Sequence, residues 1–302
     1  MTKKIFVLFF AVSLLISFSL ALSANEESND FTIVTTFTIL EDYARQVAGE
    51  HADVRVISPI GAEVHEWELT PQNFIDLEEA DIVFYNGLNT EQWMDQVRAV
   101  VRSGVQVIAL AEVCDYPTLP IVTGDYAGEA DPHIWMDVMG AGAYVETIRD
   151  SLVENNPALS EIYIENTSIY LEKLELLHEE LLEKLLLIPE ENRILISSEA
   201  AFIYFADAYD FYHDGIWGTN TEEEGTPQQM MRIIQIIEKH NPKGIFYEST
   251  GSGRHAQSVS ADTGVAVFGP LYVDSVDYPE TEIDNYIDMM LANASLLVEV
   301  LK

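Results

Sequence analysis

Seven histidines are spread over this 302-residue chain, and two of them stand where chemistry is possible. His65 lies in Gly61-Ala-Glu-Val-His65-Glu-Trp67-Glu68-Leu-Thr-Pro71, and His133 in Asp131-Pro132-His133-Ile-Trp135-Met-Asp137. Both stretches mix aromatic and acidic residues and lead from a strand pattern to a helix pattern, the place where α/β folds gather ligands. An imidazole there can bind a metal ion, move a proton, or pack in a core with its nitrogens hydrogen-bonded. Two carboxylates hold comparable positions further on. Glu199 follows the run Ile194-Leu-Ile-Ser-Ser198 and precedes a helix pattern, and Asp274 lies in Gly269-Pro-Leu-Tyr-Val-Asp274-Ser275. Either carboxylate equally suits a helix N-terminus, where the macrodipole favours negative charge. His51, His178, His213, His240 and His255 fall in charged helical or loop settings and read as surface residues. Taken singly, none of these positions fixes a function.

The elements that must hold these residues alternate between two periodicities. Residues 31–37, 54–57, 82–85 and 105–110 read as strands, with helix patterns at 39–48, 71–80 and 90–102. Thr70 ahead of Pro71 is an N-cap signal, and the short, wholly apolar runs suit parallel strands buried on both faces. A helix over 137–154 leads to the longest helical pattern, from Ala158 to about Leu187, closed by Pro189. Some 30 residues at 1.5 Å each give roughly 45 Å, enough to run from one lobe to another. Beyond it, strands at 193–197, 216–217, 244–247 and 265–268 alternate with helices at 200–209, 227–240 and 282–301. The expected fold is α/β: two Rossmann-like lobes with parallel sheets, joined by one long backbone helix, with the ligand cleft between them. The expected divisions are 24–156 for the first lobe, 157–188 for the connecting helix and 189–302 for the second lobe.

Composition narrows the function. Fifteen Lys and Arg stand against 51 Asp and Glu, a formal net charge of −36, so there is no basic footprint for phosphates and no nucleic-acid partner is expected. A single cysteine, Cys114, excludes an internal disulfide and any cysteine-built zinc or iron–sulfur site. Lys3-Lys4, the apolar stretch from Ile5 to Leu22 and the small residues around Ala21-Leu22-Ser23 form an export signal over 1–23. No cysteine lies near this end. The expectation is therefore a protein secreted across the cytoplasmic membrane, periplasmic or associated with the cell surface, and not lipid-anchored through a lipobox cysteine.

Several stretches together resemble the metal-binding receptors of manganese and zinc ABC importers, solute-binding proteins of the cluster A-I type. They are Phe31–Thr36, His65-Glu-Trp-Glu-Leu-Thr-Pro71, Ala80-Asp-Ile-Val-Phe-Tyr-Asn-Gly-Leu88 with Trp93, Asp131-Pro-His-Ile-Trp-Met-Asp137, Ser198-Glu-Ala-Ala-Phe-Ile-Tyr-Phe205, Ile245-Phe-Tyr-Glu248 and Gly269-Pro-Leu-Tyr-Val-Asp-Ser275. The resemblance runs in order along essentially the whole chain after the export signal. It implies one divalent metal in the cleft, Mn²⁺ or Zn²⁺, held by His65 and His133 from the first lobe and by Glu199 and Asp274 from the second. It also implies delivery of that ion to an ABC permease, a monomeric state and no catalytic role. Trp67, Asp137 and Glu248 are candidates for orienting the ligands. Many zinc receptors of the group carry a third histidine where Glu199 stands, and a histidine-rich acidic loop near residues 118–130. This chain has neither, which tilts the expectation toward manganese. A surface adhesin or a metallohydrolase is the alternative from another class, and no HExxH, GxSxG or P-loop pattern supports an enzyme.

Overall fold

The first sheet is built from four short strands, of which the two central ones are buried at every position and the two outer ones are only partly covered. In the computed structural model, which describes residues 31–219, 225–276 and 281–302, these are β1 (Thr32–Thr35), β2 (Asp53–Val56), β3 (Ile82–Tyr85) and β4 (Gln106–Ala109). All pair in parallel, in the order β2-β1-β3-β4. The second sheet comprises β5 (Ile194–Glu199), β6 (Tyr212–Trp217), β7 (Ile245–Glu248) and β8 (Val267–Leu271), also parallel and ordered β6-β5-β7-β8. The two sheets thus repeat one winding. In each, the order reverses between the first strand and the third, and such a switch point opens a crevice beyond the carboxyl ends of the strands. The expected α/β fold with two parallel sheets is the observed one.

Between the sheets in sequence runs the helix Ser160–Leu185. Its buried residues Tyr163, Thr167, Tyr170, Leu174, Leu177, Leu181 and Leu185 recur at three- and four-residue intervals, so one stripe faces inward. At 1.5 Å per residue its 26 residues span about 39 Å. It packs on the helices Val138–Asn155, Thr38–Ala48 and Tyr286–Leu301. One apolar core runs through all of them. Phe37, Trp135 and Tyr144 from the first half belong to the same buried cluster as Phe202, Phe205 and Leu297 from the second. The C-terminal helix returns to the first half: Tyr286 donates its backbone N–H to Asp42 Oδ2 at 2.9 Å and its hydroxyl to the Trp135 carbonyl at 2.7 Å.

Several elements depart from expectation for local reasons. The helix expected from residue 90 begins at Met94 because Thr90 and Glu91 are spent on a turn. Thr90 Oγ1 donates to the Gly87 carbonyl, and Glu91 Oε1 accepts from the Asn86 backbone N–H and from Thr36 Oγ1. The helix Arg254–Thr263 was not expected, since it buries only Ala256 and Val259 and shows no apolar stripe. β6 is longer than residues 216–217 and takes in His213, which is buried rather than on the surface. Its Nδ1 bonds the Leu195 carbonyl and its Nε2 accepts from the Phe202 N–H. No helix among the described residues is long and apolar enough to cross a membrane. The export signal expected over residues 1–23 lies outside the described residues.

Candidate metal centre

His65 reaches the centre from the loop after β2. Trp93 Nε1 holds that loop by donating to the Val64 carbonyl at 2.8 Å, and Thr70 caps the helix Pro71–Glu79 that follows. The ring of His65 is aimed by the turn after β3. There Gly87, Leu88 and Asn89 have φ of 87°, 50° and 65°, a left-handed run that costs a non-glycine residue about 1–2 kcal/mol. The turn presents the Thr90 carbonyl 3.0 Å from His65 Nδ1. A carbonyl only accepts, so Nδ1 carries the proton and Nε2 offers its lone pair.

His133 is fixed in the same manner. Its Nδ1 lies 3.0 Å from Asp131 Oδ1, which also accepts the His133 backbone N–H at 3.0 Å. Asp131 is fully buried and bound from the second half of the chain, since Thr219 Oγ1 donates to its Oδ2 and the Tyr204 hydroxyl to its carbonyl. Asn86, at the end of β3, donates to the Pro132 carbonyl and accepts from the Tyr144 hydroxyl. The Asn-Gly-Leu segment therefore positions both histidines, one through Thr90 and one through Pro132. A carboxylate behind an imidazole sets its tautomer and raises its basicity toward a metal.

Glu199 ends β5 and Asp274 follows β8. The Glu199 backbone N–H donates to Glu248 Oε1 at 3.2 Å, while its side chain turns to the histidines. Ser275, next to Asp274, accepts from the Gly61 N–H at 2.8 Å and from Thr38 Oγ1 at 3.2 Å, and Trp135 Nε1 donates to the Val273 carbonyl at 2.8 Å. The loop with Asp274 is thus sewn to the loops with His65 and His133.

Of the four expected residues, His65, His133 and Glu199 bring ligand atoms within 4.8 Å of one another. The His65 Nε2–Glu199 Oε1 separation is 3.7 Å, and the two rings are 6.1 Å apart. Asp274 stands outside that closest trio, yet its charge acts on both histidines. Four buried atoms have no hydrogen-bond partner here: His65 Nε2, His133 Nε2, Glu199 Oε1 and Asp274 Oδ1. Burial holds the Glu199 carboxyl well above the usual range, against the pull of His133 and aided by Glu63 and Asp274. Asp274 is raised by burial as well, and burial pushes Glu248 up to about 8. Burial alone depresses the His133 ring, but Asp131, Glu199 and Asp274 outweigh it and leave it raised. Of the residues expected to orient ligands, only Glu248 bonds one. Trp67 bonds Asn73, and Asp137 caps the helix Val138–Asn155 and accepts from the Tyr116 hydroxyl. Asp131 and Thr90 do the orienting that sequence reasoning did not assign.

The model of the family described as zinc-uptake complex component A, periplasmic, matches residues 33–300. The chain belongs to that family. It is 38% identical to the iron-binding protein YfeA of Yersinia pestis over 93% of this chain and 90% of that one. It is also 38% identical to the manganese-binding lipoprotein MntA of Halalkalibacterium halodurans, over 91% of this chain and 89% of that one. The Mn-bound periplasmic metal binding protein of Candidatus Liberibacter asiaticus superposes with a TM-score of 0.82 at 26% identity, covering 90% of this chain and 100% of that one. The periplasmic zinc binding protein TroA of Treponema pallidum gives 0.82 at 25% identity, over 89% of this chain and 98% of that one. One expectation is corrected. MntA, like ScbA of Streptococcus cristatus and PsaA of Streptococcus anginosus, is named a lipoprotein, which overturns the expectation of a family member without a lipid anchor. That expectation rested on cysteine placement alone, and the relatives' names weigh against it.

Proposed function

We propose that this chain is the ion-capturing component of an ABC importer, enclosing one divalent first-row metal between His65, His133, Glu199 and Asp274 and passing it to a membrane permease. The observation that carries the reading is the set of four buried, unpartnered ligand atoms drawn from both halves of the chain. Buried polar atoms are nearly always paired, and an unpaired one costs about 1–3 kcal/mol. One cation reaches the ligand atoms of His65, His133 and Glu199 as they stand, and a small movement of Asp274 would add the fourth. Two neutral imidazoles and two carboxylates balance a divalent ion formally to zero, and the carboxylate oxygens suit the harder Mn²⁺ better than a three-histidine set would. Four protein ligands drawn from both halves leave little room for a substrate, which favours a receptor over an enzyme, and its expected state is a monomer. A charge of −36 repels nucleic acid.

The test is competition titration of chelator-stripped protein with Mn²⁺ and Zn²⁺, for the wild type and Glu199→His. One ion per chain is expected. Zn²⁺ binds the isolated protein at least as tightly as Mn²⁺, because Mn²⁺ is the weakest of the series, and Glu199→His moves the ratio further toward zinc. No stoichiometric binding would sink the reading, and an unchanged ratio would remove Glu199 from the choice of metal.

A further inference from the structure

The four ligands are closed away: His133 is fully buried, and the side chains of His65 and Glu199 are 9% and 14% exposed. An ion arriving from water meets something else first. Glu63, two residues ahead of His65 on the same loop, keeps its side chain 39% exposed and sets Oε1 4.0 Å from His65 Nε2, the lone pair offered to the metal. It is not a freely swinging surface acid, because the same Oε1 accepts the His65 backbone N–H at 3.3 Å. Its charge reaches the interior, where it acts on both Glu199 and Asp274. Nothing in the four-ligand count uses it. A third carboxylate makes the formal charge of the loaded centre −1, and its exposed position at the rim places that charge where an arriving ion passes.

We propose that Glu63 is the capture carboxylate of the centre, replacing a water of the hydrated divalent ion at the rim and handing the ion inward to His65 and Glu199. This rests on the reading of the metal site given above. Glu63 then governs how fast the ion enters, and contributes little to how long it stays. A purely structural role, in which Glu63 only braces the His65 loop, makes a different prediction. Glu63→Gln keeps an oxygen to accept the His65 N–H but removes the charge, so it separates the two.

The experiment is stopped-flow association of Mn²⁺ with the stripped chain, followed by tryptophan fluorescence, since the Trp135 ring lies 5.0 Å from that of His133. Dissociation is read separately by chelator competition. Glu63→Gln should slow association roughly three- to tenfold in dilute buffer, one charge's share of the roughly 10- to 1,000-fold that focused charge lends to on-rates, and change dissociation less than about twofold. Glu63→Asp, which retains the charge, should keep most of the wild-type rate. The difference between wild type and Glu63→Gln should shrink near 1 M salt, where the Debye length falls to about 3 Å. Equal association rates for wild type and Glu63→Gln overturn the inference, as does an effect confined to dissociation, which would make Glu63 a lasting ligand. A wild type that takes up no stoichiometric ion brings down the reading of the centre itself. Normal wild-type binding with an unaltered Glu63→Gln rate brings down this inference alone.

Discussion

On the first-lobe side of the centre both imidazoles arrive with Nδ1 already bonded, to the Thr90 carbonyl and to Asp131, so each presents Nε2 in a fixed direction. On the second-lobe side the functional oxygens, Glu199 Oε1 and Asp274 Oδ1, are buried with nothing to bond. The contrast is one of charge as much as of hydrogen bonding. A neutral, half-satisfied imidazole is cheap to bury, whereas a carboxylate without a counter-charge is not, and it responds by holding a proton. The histidine half is oriented through Nδ1 but leaves Nε2 of His65 and of His133 unpaired. Burial raises both carboxyls, so at the proposed site a cation would bind in competition with protons, and the pairing of the two halves favours a positive ion.

The strongest way to break this contrast is to remove a finished ligand. His133→Ala should cost more metal affinity than the 10- to 100-fold loss typical of an outer partner, and calorimetric titration would measure it. If the affinity survives, the histidine half is not where the ion sits. Asp131→Asn should cost about 10- to 100-fold by weakening the support behind His133, while the fold persists. An affinity equal to wild type would show that the imidazole needs no such support.

Acidity sharpens the other half. Glu199, Asp274 and Glu248 are raised by burial, Glu248 to about 8, and His133 is raised by its neighbouring carboxylates despite burial. Between the ordinary carboxyl value of 4.5 and about 8 the folded chain therefore binds more protons than the unfolded chain. Stability of the metal-free protein must fall as pH rises through that window. His213 and His255, both lowered by burial, oppose this on the acid side. The melting temperature of the stripped protein should rise on acidification from about pH 8 to about pH 5.5. At a metal concentration of 100 Kd the loaded protein gains about 2.7 kcal/mol, roughly 5 °C, near neutral pH. Protons compete for the same atoms, so that gain should shrink as pH falls. Calorimetry showing a gap that widens in acid would contradict the proton-holding account of the carboxylate half.

The smallest expected effect concerns the seam between the halves. Ser275→Ala leaves the Gly61 N–H without its acceptor, a loss of about 1–3 kcal/mol or a few degrees in melting temperature. Affinity should change less than for Asp131→Asn. An affinity loss larger than that variant's would shift the weight of the account from ligands to lobe alignment.

Much of this was legible in the sequence, and the rest was hidden for identifiable reasons. The buried strands announced themselves as short apolar runs, and the long helix by Ile162, Ile169, Leu174, Leu177, Leu181 and Leu185; the four leucines are buried, but in the first half of the helix the buried face is carried by Tyr163 and Tyr170 while Ile169 is exposed. His65, His133, Glu199 and Asp274 stood at strand-to-helix connections, where the winding places a cleft. The partners behind them were not legible. Thr90 acts through its carbonyl, which has no side-chain signature, and the turn that aims it depends on left-handed residues at Leu88 and Asn89. Asp131 did leave a signal, an acid two residues before a histidine, a spacing that lets one oxygen take both the backbone N–H and Nδ1. His213 looked like a surface residue because Asp214 follows it, but Asp214 is paired with Arg232 while the ring turns inward.

The central claim is that both halves close on one ion, and anomalous diffraction from crystals grown with Mn²⁺, collected at the manganese edge, tests it most directly. The account predicts a single strong peak per chain within bonding distance of Nε2 of His65, Nε2 of His133 and the carboxylates of Glu199 and Asp274. A peak elsewhere on the acidic surface, with those four atoms still unpartnered, would contradict it.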